Sequence, residues 1–302
     1  MNLKVILVFF AVGLLLAGCI QMPGGTASSG GSQTGGTQQT GGQQTAASGT
    51  TAQSGTTTTT QTTQNQTGTQ TSGTSSTQQT SLESTEINYT SGAWRIYGTV
   101  YDSKNDEPTK AIILVHDLGK TRDAYSQDFI ERLHDSVPDA MIFAIDLRGH
   151  GKSTNLGTYQ SFDMATFKDM KTDVLGAKNY FKANHPTVNE YYVVGASIGS
   201  TAGILAAAQD MEINKLVMIS PGMEYKNVSI DRAAEDYLKR LMLVASSGDS
   251  YSVDGVEGID ELSHTTHKTI KIYPGSAHGT DLFAATEGDS EPLDTAIINF
   301  LK

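Results

Sequence analysis

A serine with a glycine two residues away on each side is the feature of this 302-residue chain best suited to chemistry: Gly195-Ala196-Ser197-Ile198-Gly199. A hydroxyl becomes nucleophilic when a base takes its proton, and it must stand clear of its own backbone to reach a substrate. A strained tight turn exposes it, and the flanking glycines let the incoming and outgoing segments approach each other. The pentapeptide alone decides little, because Gly and Ser are frequent here. Its setting decides more. The apolar run Tyr191–Val194 precedes it and the Ala-rich segment Ile198–Ala208 follows it, so a strand, a turn and a helix succeed one another.

Other chemistry is less well supported. His264 and His267 are three residues apart and would share a helix face, but no third metal ligand lies near them, so they read as a solvated pair and no metal is expected. Gly151-Lys152-Ser153 resembles the end of a phosphate-binding loop, yet that motif needs a glycine where Asp146 stands.

The elements that must position Ser197 can be read from the apolar pattern. Ala111–Val115, Met141–Ile145, Tyr191–Val194, Leu216–Ile219, Leu241–Ala245 and Thr269–Tyr273 are short apolar runs, as expected of strands in a parallel sheet covered on both faces. Before them, from Ile87, Trp94, Ile96 and Gly98 alternate with other residues, which suggests an opening antiparallel pair. Helices are expected at Asp123–Asp135, Asp163–Ala183, Ile198–Ala208, Ile230–Arg240, Ile259–His264 and Asp294–Leu301, the second with Phe167, Met170, Val174 and Ala177 in phase. This alternation predicts an α/β fold with a doubly wound, mostly parallel sheet.

With those elements placed, the chain from 86 to 302 resembles the α/β-hydrolase superfamily, in its small prokaryotic esterase-like group. The serine turn matches that superfamily's nucleophile elbow. His116-Asp117-Leu118-Gly119 closes the strand Ala111–Val115 where the superfamily carries His-Gly-x-Gly, with Asp117 in place of the usual glycine. Asp146-Leu147-Arg148-Gly149-His150-Gly151-Lys152-Ser153 matches a structural segment common after its next strand. The resemblance implies a triad in the order nucleophile, acid, base: Ser197, Asp249 after Leu241–Ala245, and His278 after Thr269–Tyr273. It also implies an oxyanion hole made by the Leu118 and Ile198 amides, a structural role for His116, and no cofactor. The expected activity is hydrolysis of small carboxylic esters through an acyl-enzyme, with thioesters or peptides as alternatives on the same triad and a non-catalytic surface binding protein as the alternative from another class. A carboxylate-nucleophile, halide-displacing reaction is disfavoured by Ser197. Only about 20 residues separate Ile219 from Leu241, so a minimal cap and a preference for acetyl to butyryl esters are expected.

The remainder of the chain bears on location. Lys4, the apolar run Val5–Leu16 and Leu16-Ala17-Gly18-Cys19 resemble a signal peptide (1–18) ending in the lipobox of prokaryotic lipoproteins, which implies lipidation of Cys19 and a cell-membrane anchor facing outside the cytoplasm. Residues 19–85 are rich in Thr, Ser, Gly and Gln and have too few apolar side chains for a core, so a flexible tether is expected. Cys19 is the single cysteine, which leaves no intrachain disulfide. The net charge of −11 and the lack of a dense Lys/Arg run argue against nucleic acid as a partner. Asn65, Asn88 and Asn227 begin N-glycosylation acceptor triplets.

Overall fold

The apolar runs become strands of one sheet. In the computed structural model, which describes residues 82–302, strands β1 (Ser84–Ser91), β2 (Trp94–Tyr101), β3 (Lys110–Val115), β4 (Ala140–Ile145), β5 (Glu190–Ala196), β6 (Ile213–Ile219), β7 (Arg240–Ser246) and β8 (Lys268–Tyr273) lie in the order β1-β2-β4-β3-β5-β6-β7-β8. β2 pairs antiparallel with β1 and with β4, and every later pairing is parallel. The expected signal peptide, Cys19, Asn65 and most of the expected tether lie outside the described residues. Among the described residues no helix is long and apolar enough to cross a membrane.

Successive side chains of a strand point to opposite faces, so the continuous apolar runs feed two cores. Ile113, Val115, Phe143 and Val193 pack on one face with helices α2 (Met164–Lys168), α3 (Lys171–Asn184), α4 (Ile198–Gln209), α5 (Asp231–Asp236) and α6 (Ser250–Leu262). Ile112, Leu114, Ile142 and Val194 pack on the other with α1 (Gln127–Ser136), α7 (Asp281–Ala285) and α8 (Leu293–Leu301). This is the doubly wound sheet expected from the sequence.

Several helices differ from expectation for local reasons. The segment Asp163–Ala183 is split into α2 and α3. At the junction Thr172 N–H reaches Asp169 O at 2.9 Å, three residues back, and the Thr172 hydroxyl donates to the same carbonyl at 2.8 Å, interrupting the four-residue ladder. α5 stops at Asp236, because Tyr237 is fully buried and its hydroxyl donates to Arg240 O at 3.2 Å, drawing the chain out into β7. The expected helix Ile259–His264 is the end of the longer α6, whose Gly255 reads as a breaker. A Cβ on Gly255 would lie 2.2 Å from Pro221 O, so the glycine permits close approach between α6 and the segment after β6. His264 and His267 lie beyond the end of α6, both exposed.

Lys215 shows how the sheet's far end is tied down. It is buried in β6, donates to Leu301 O at 2.7 Å at the end of α8, and sits 4.6 Å from the centre of the Tyr192 ring. Burial, reinforced by the charge of Arg240, pulls its ammonium down from 10.5 to about 8. Between those values the unfolded chain holds a proton that the folded chain has lost, so this group's contribution to stability rises with pH across that window. Thermal melts of wild type and Lys215→Met from pH 7 to 10.5 are expected to show the wild type gaining Tm relative to the variant above pH 8. A difference that stays constant with pH would contradict this.

Candidate active site

All the candidate residues sit at the carboxyl ends of strands or in the loops that follow. β5 ends at Ala196, and Ser197 takes φ 51° and ψ −113°, outside the regions open to most L-residues. The turn is held by Ser197 N–H to Ile219 O at 2.8 Å and by the Ser200 hydroxyl, which reaches Gly195 O at 2.8 Å and Ile219 O at 3.0 Å. The glycines are required sterically. A Cβ on Gly195 would stand 2.3 Å from Gly199 O, and one on Gly199 would stand 2.3 Å from Val115 O.

Asp249 and His278 come from loops that bond to each other through Gly248 N–H and Gly275 O at 2.7 Å. Asp249 occupies the N-cap position of α6 without capping it, and its Oδ2 accepts instead from His278 Nδ1–H at 2.6 Å. Because the carboxylate can only accept, the His278 proton is on Nδ1, which leaves Nε2 free to accept from the Ser197 hydroxyl at 2.9 Å. The structure thus brings the three expected residues into one chain of hydrogen bonds. Ser252, one turn into α6, was not anticipated. Its buried hydroxyl donates to Asp249 Oδ2 at 2.6 Å, and the three-residue spacing from Asp249 at a helix start was the available signal.

Leu118 lines an open cleft with Ser197, and Ile198 lines a smaller recess with it. Among the described residues neither amide donates a hydrogen bond to a backbone carbonyl. His116 is fully buried, accepts from Leu147 N–H at 3.1 Å and donates from Nδ1 to Asp117 O at 2.7 Å. Burial drives its pKa down to about 3, so it is a neutral structural residue of the loop. Asp146 likewise serves structure, accepting from Arg122 N–H at 2.9 Å and Lys152 N–H at 3.0 Å.

Asp117 does something the sequence did not disclose. The positive φ in this loop belongs to Gly119, at 79°. The buried Asp117 carboxylate instead crosses to the histidine loop, where Oδ2 accepts from Thr280 N–H at 2.9 Å and Thr280 Oγ1–H at 3.2 Å, and it pairs with Lys120 Nζ of its own loop at 3.1 Å. From the other side, Ser220 Oγ accepts from Gly279 N–H at 2.8 Å. The backbone immediately after His278 is therefore clamped between the end of β6 and the loop after β3. Asp117→Ala is expected to lower kcat about 10–100-fold with little change in KM, and to cost about 3 kcal/mol of stability, because buried donors lose a charged acceptor. Asp117→Asn keeps an acceptor for Thr280 and should lose less of both. Equal kcat in wild type and Asp117→Ala would show that the clamp does not position the site.

Comparison with known proteins bears on the fold that carries these residues. Residues 106–254 match a hydrolase family described as serine aminopeptidase, S33, a stretch that includes His116, Ser197 and Asp249 and ends before His278. No curated protein sequence matches the chain significantly. Among solved structures, an esterase from Pyrococcus furiosus superposes with a TM-score of 0.60 at 19% identity, over 73% of this chain and 92% of that one. A carboxyl esterase from Bacillus coagulans gives 0.57 at 14% identity, over 72% and 97%. A dienelactone hydrolase from Anabaena variabilis gives 0.55 at 17%, over 73% and 95%. Strand order and superposition show that residues 82–302 carry the α/β-hydrolase fold.

Proposed function

We propose that this domain is a serine hydrolase acting on small carboxylic esters through an acyl-enzyme, with Ser197 as nucleophile, His278 as general base and Asp249 as its orienting acid. The observation that carries this reading is His278 bridging Ser197 Oγ at 2.9 Å and Asp249 Oδ2 at 2.6 Å in a fixed tautomer. His278 Nε2 takes the Ser197 proton as Oγ attacks the acyl carbon, and the Leu118 and Ile198 amides hold the developing oxyanion. His278 then gives its proton to the leaving alcohol. A water, deprotonated by the same nitrogen, releases the acid.

Esters are favoured over peptides because the three solved relatives above are named for esters or a lactone. The family description names a peptidase, which keeps peptides as the second reading. The connection between β6 and β7 holds only α5 and a two-residue ladder, Glu224–Tyr225 with Val228–Ser229, so little covers the cleft. A fluorophosphonate probe is expected to label the protein at Ser197, and kcat/KM for aryl esters is expected to peak between acetyl and butyryl. Faster turnover of aminoacyl anilides than of any ester would favour the peptidase. Absence of labelling would remove the hydrolase reading.

On the Leu16–Cys19 pattern we also propose that the domain is tethered outside the cytoplasm by acylated Cys19. Incorporation of radiolabelled lipid into the wild type and its loss in Cys19→Ser is the expected result.

A further inference from the structure

Two spaces meet at Ser197, and Tyr225 borders both. One is the open cleft of about 310 Å³, bordered also by Leu118, Lys120, His278 and Asp281. The other is a recess of about 10 Å³, bordered by Thr201, Ser220, Gly222 and Tyr251. The chemistry assigns their occupants. A leaving alcohol must take its proton from His278 Nε2, and His278 borders the cleft and not the recess, so the alcohol lies in the cleft. The acyl chain then points the other way. A recess of that volume holds roughly one water-sized group.

The recess is also held in shape. The Tyr251 hydroxyl donates to Glu224 O at 2.7 Å, which pins the ring to the strand carrying Tyr225. The Tyr225 ring stands edge-on to Phe167 at 5.9 Å, and Phe167 is buried in the core. Ile230 N–H to Met223 O at 3.0 Å closes the base of the ladder. The cleft is different in character. Lys120 Nζ there bonds to Asp281 Oδ1 at 2.8 Å and Thr280 Oγ1 at 2.9 Å and pairs with Asp117, so its lining has two carboxylates against one ammonium. Such a wall disfavours anions and presents donors and acceptors to hydroxyl groups.

Resting on the serine-hydrolase reading, we propose that Tyr225 and Tyr251 close the acyl side of Ser197 to a single methyl group, so that this domain takes acetyl esters of neutral polyhydroxy alcohols. In the acylation step the Ser197 Oγ–carbonyl carbon bond forms and the carbon–alcohol oxygen bond breaks, with the alcohol leaving on the proton held by His278. Water then releases acetate and restores Ser197.

The test measures kcat/KM for aryl acetate, butyrate and octanoate with wild type, Tyr225→Phe, Tyr225→Ala and Tyr251→Ala, and acetate release by the wild type from 6-O-acetylglucose, 2-acetoxypropionate and octyl acetate. Wild type should prefer acetate to butyrate by at least about tenfold, the scale expected when added methylenes do not fit. Tyr225→Ala and Tyr251→Ala should each raise the octanoate-to-acetate ratio about tenfold or more, and Tyr225→Phe should leave it as in wild type. Acetylglucose should be turned over faster than the anionic or the alkyl acetate. A wild-type optimum at butyrate or longer, a ratio unmoved in both alanine variants, or a preference for octyl acetate would overturn the proposal while fluorophosphonate labelling still upheld the hydrolase. No labelling and no turnover of any ester would overturn both.

Discussion

Ser197→Ala is expected to lower kcat by about 10⁵–10⁶-fold and to abolish labelling by a fluorophosphonate, because a triad fails as a unit when its nucleophile is lost. The same residue also stores strain. At φ 51° and ψ −113° a side chain costs about 1–3 kcal/mol, a cost that Ser197→Ala retains and Ser197→Gly removes. Both variants should therefore be inactive, with the glycine variant melting a few degrees above the alanine variant. Calorimetry alongside the kinetic assay checks the pair. Substantial turnover in either variant would mean that another group attacks the substrate, and equal melting temperatures would mean that the turn is not strained in solution.

Asp249→Asn is expected to cost about 10⁴-fold in kcat with little change in KM. The mechanism is the tautomer. An amide at this position can turn its NH₂ toward His278 Nδ1, which moves the ring proton to Nε2, where it faces the Ser197 hydroxyl instead of accepting from it. Asp254 lies exposed on the same helix, and Asp254→Asn should leave kcat within about twofold, as for a surface substitution away from the site. Ser252→Ala should fall between them at about tenfold, since it removes one donor from Asp249 Oδ2 and leaves the His278 bond in place. Steady-state kinetics on one short aryl ester ranks all three. A larger loss for Asp254→Asn than for Asp249→Asn would reverse the assignment of the acid.

The features legible before the structure were those set by neighbours in the chain. Five of the six apolar runs are strands covered on both faces, the edge run Thr269–Tyr273 leaves Ile270 and Ile272 exposed, and each observed strand contains its expected run, extended by one to three residues. Asp249 became readable only through its order between Ser197 and His278 in the superfamily the chain resembles. Asp281–Ala285, a helix of five residues, carried too short a pattern to be noticed. Ser220 and Thr280 gave no signal, because Ser220 meets Gly279 across 59 positions and Thr280 meets Asp117 across 163.

The sequence by itself determined the layered α/β architecture and the glycine-flanked serine turn, because these depend on hydrophobic period and on glycine placement; the order Ser197, Asp249, His278 was implied by the resemblance to the α/β-hydrolase superfamily. Tertiary structure alone decided what surrounds Ser197. The length of the β6–β7 connection indicated a thin cap, but the size of the recess beside Ser197 depends on where two rings from separate segments come to rest, Tyr225 against Phe167 and Tyr251 against Glu224 O. The role of Asp117 was decided in the same way. Its carboxylate acts through Thr280, and only the folded chain brings the loops after β3 and β8 close enough for that bond to form.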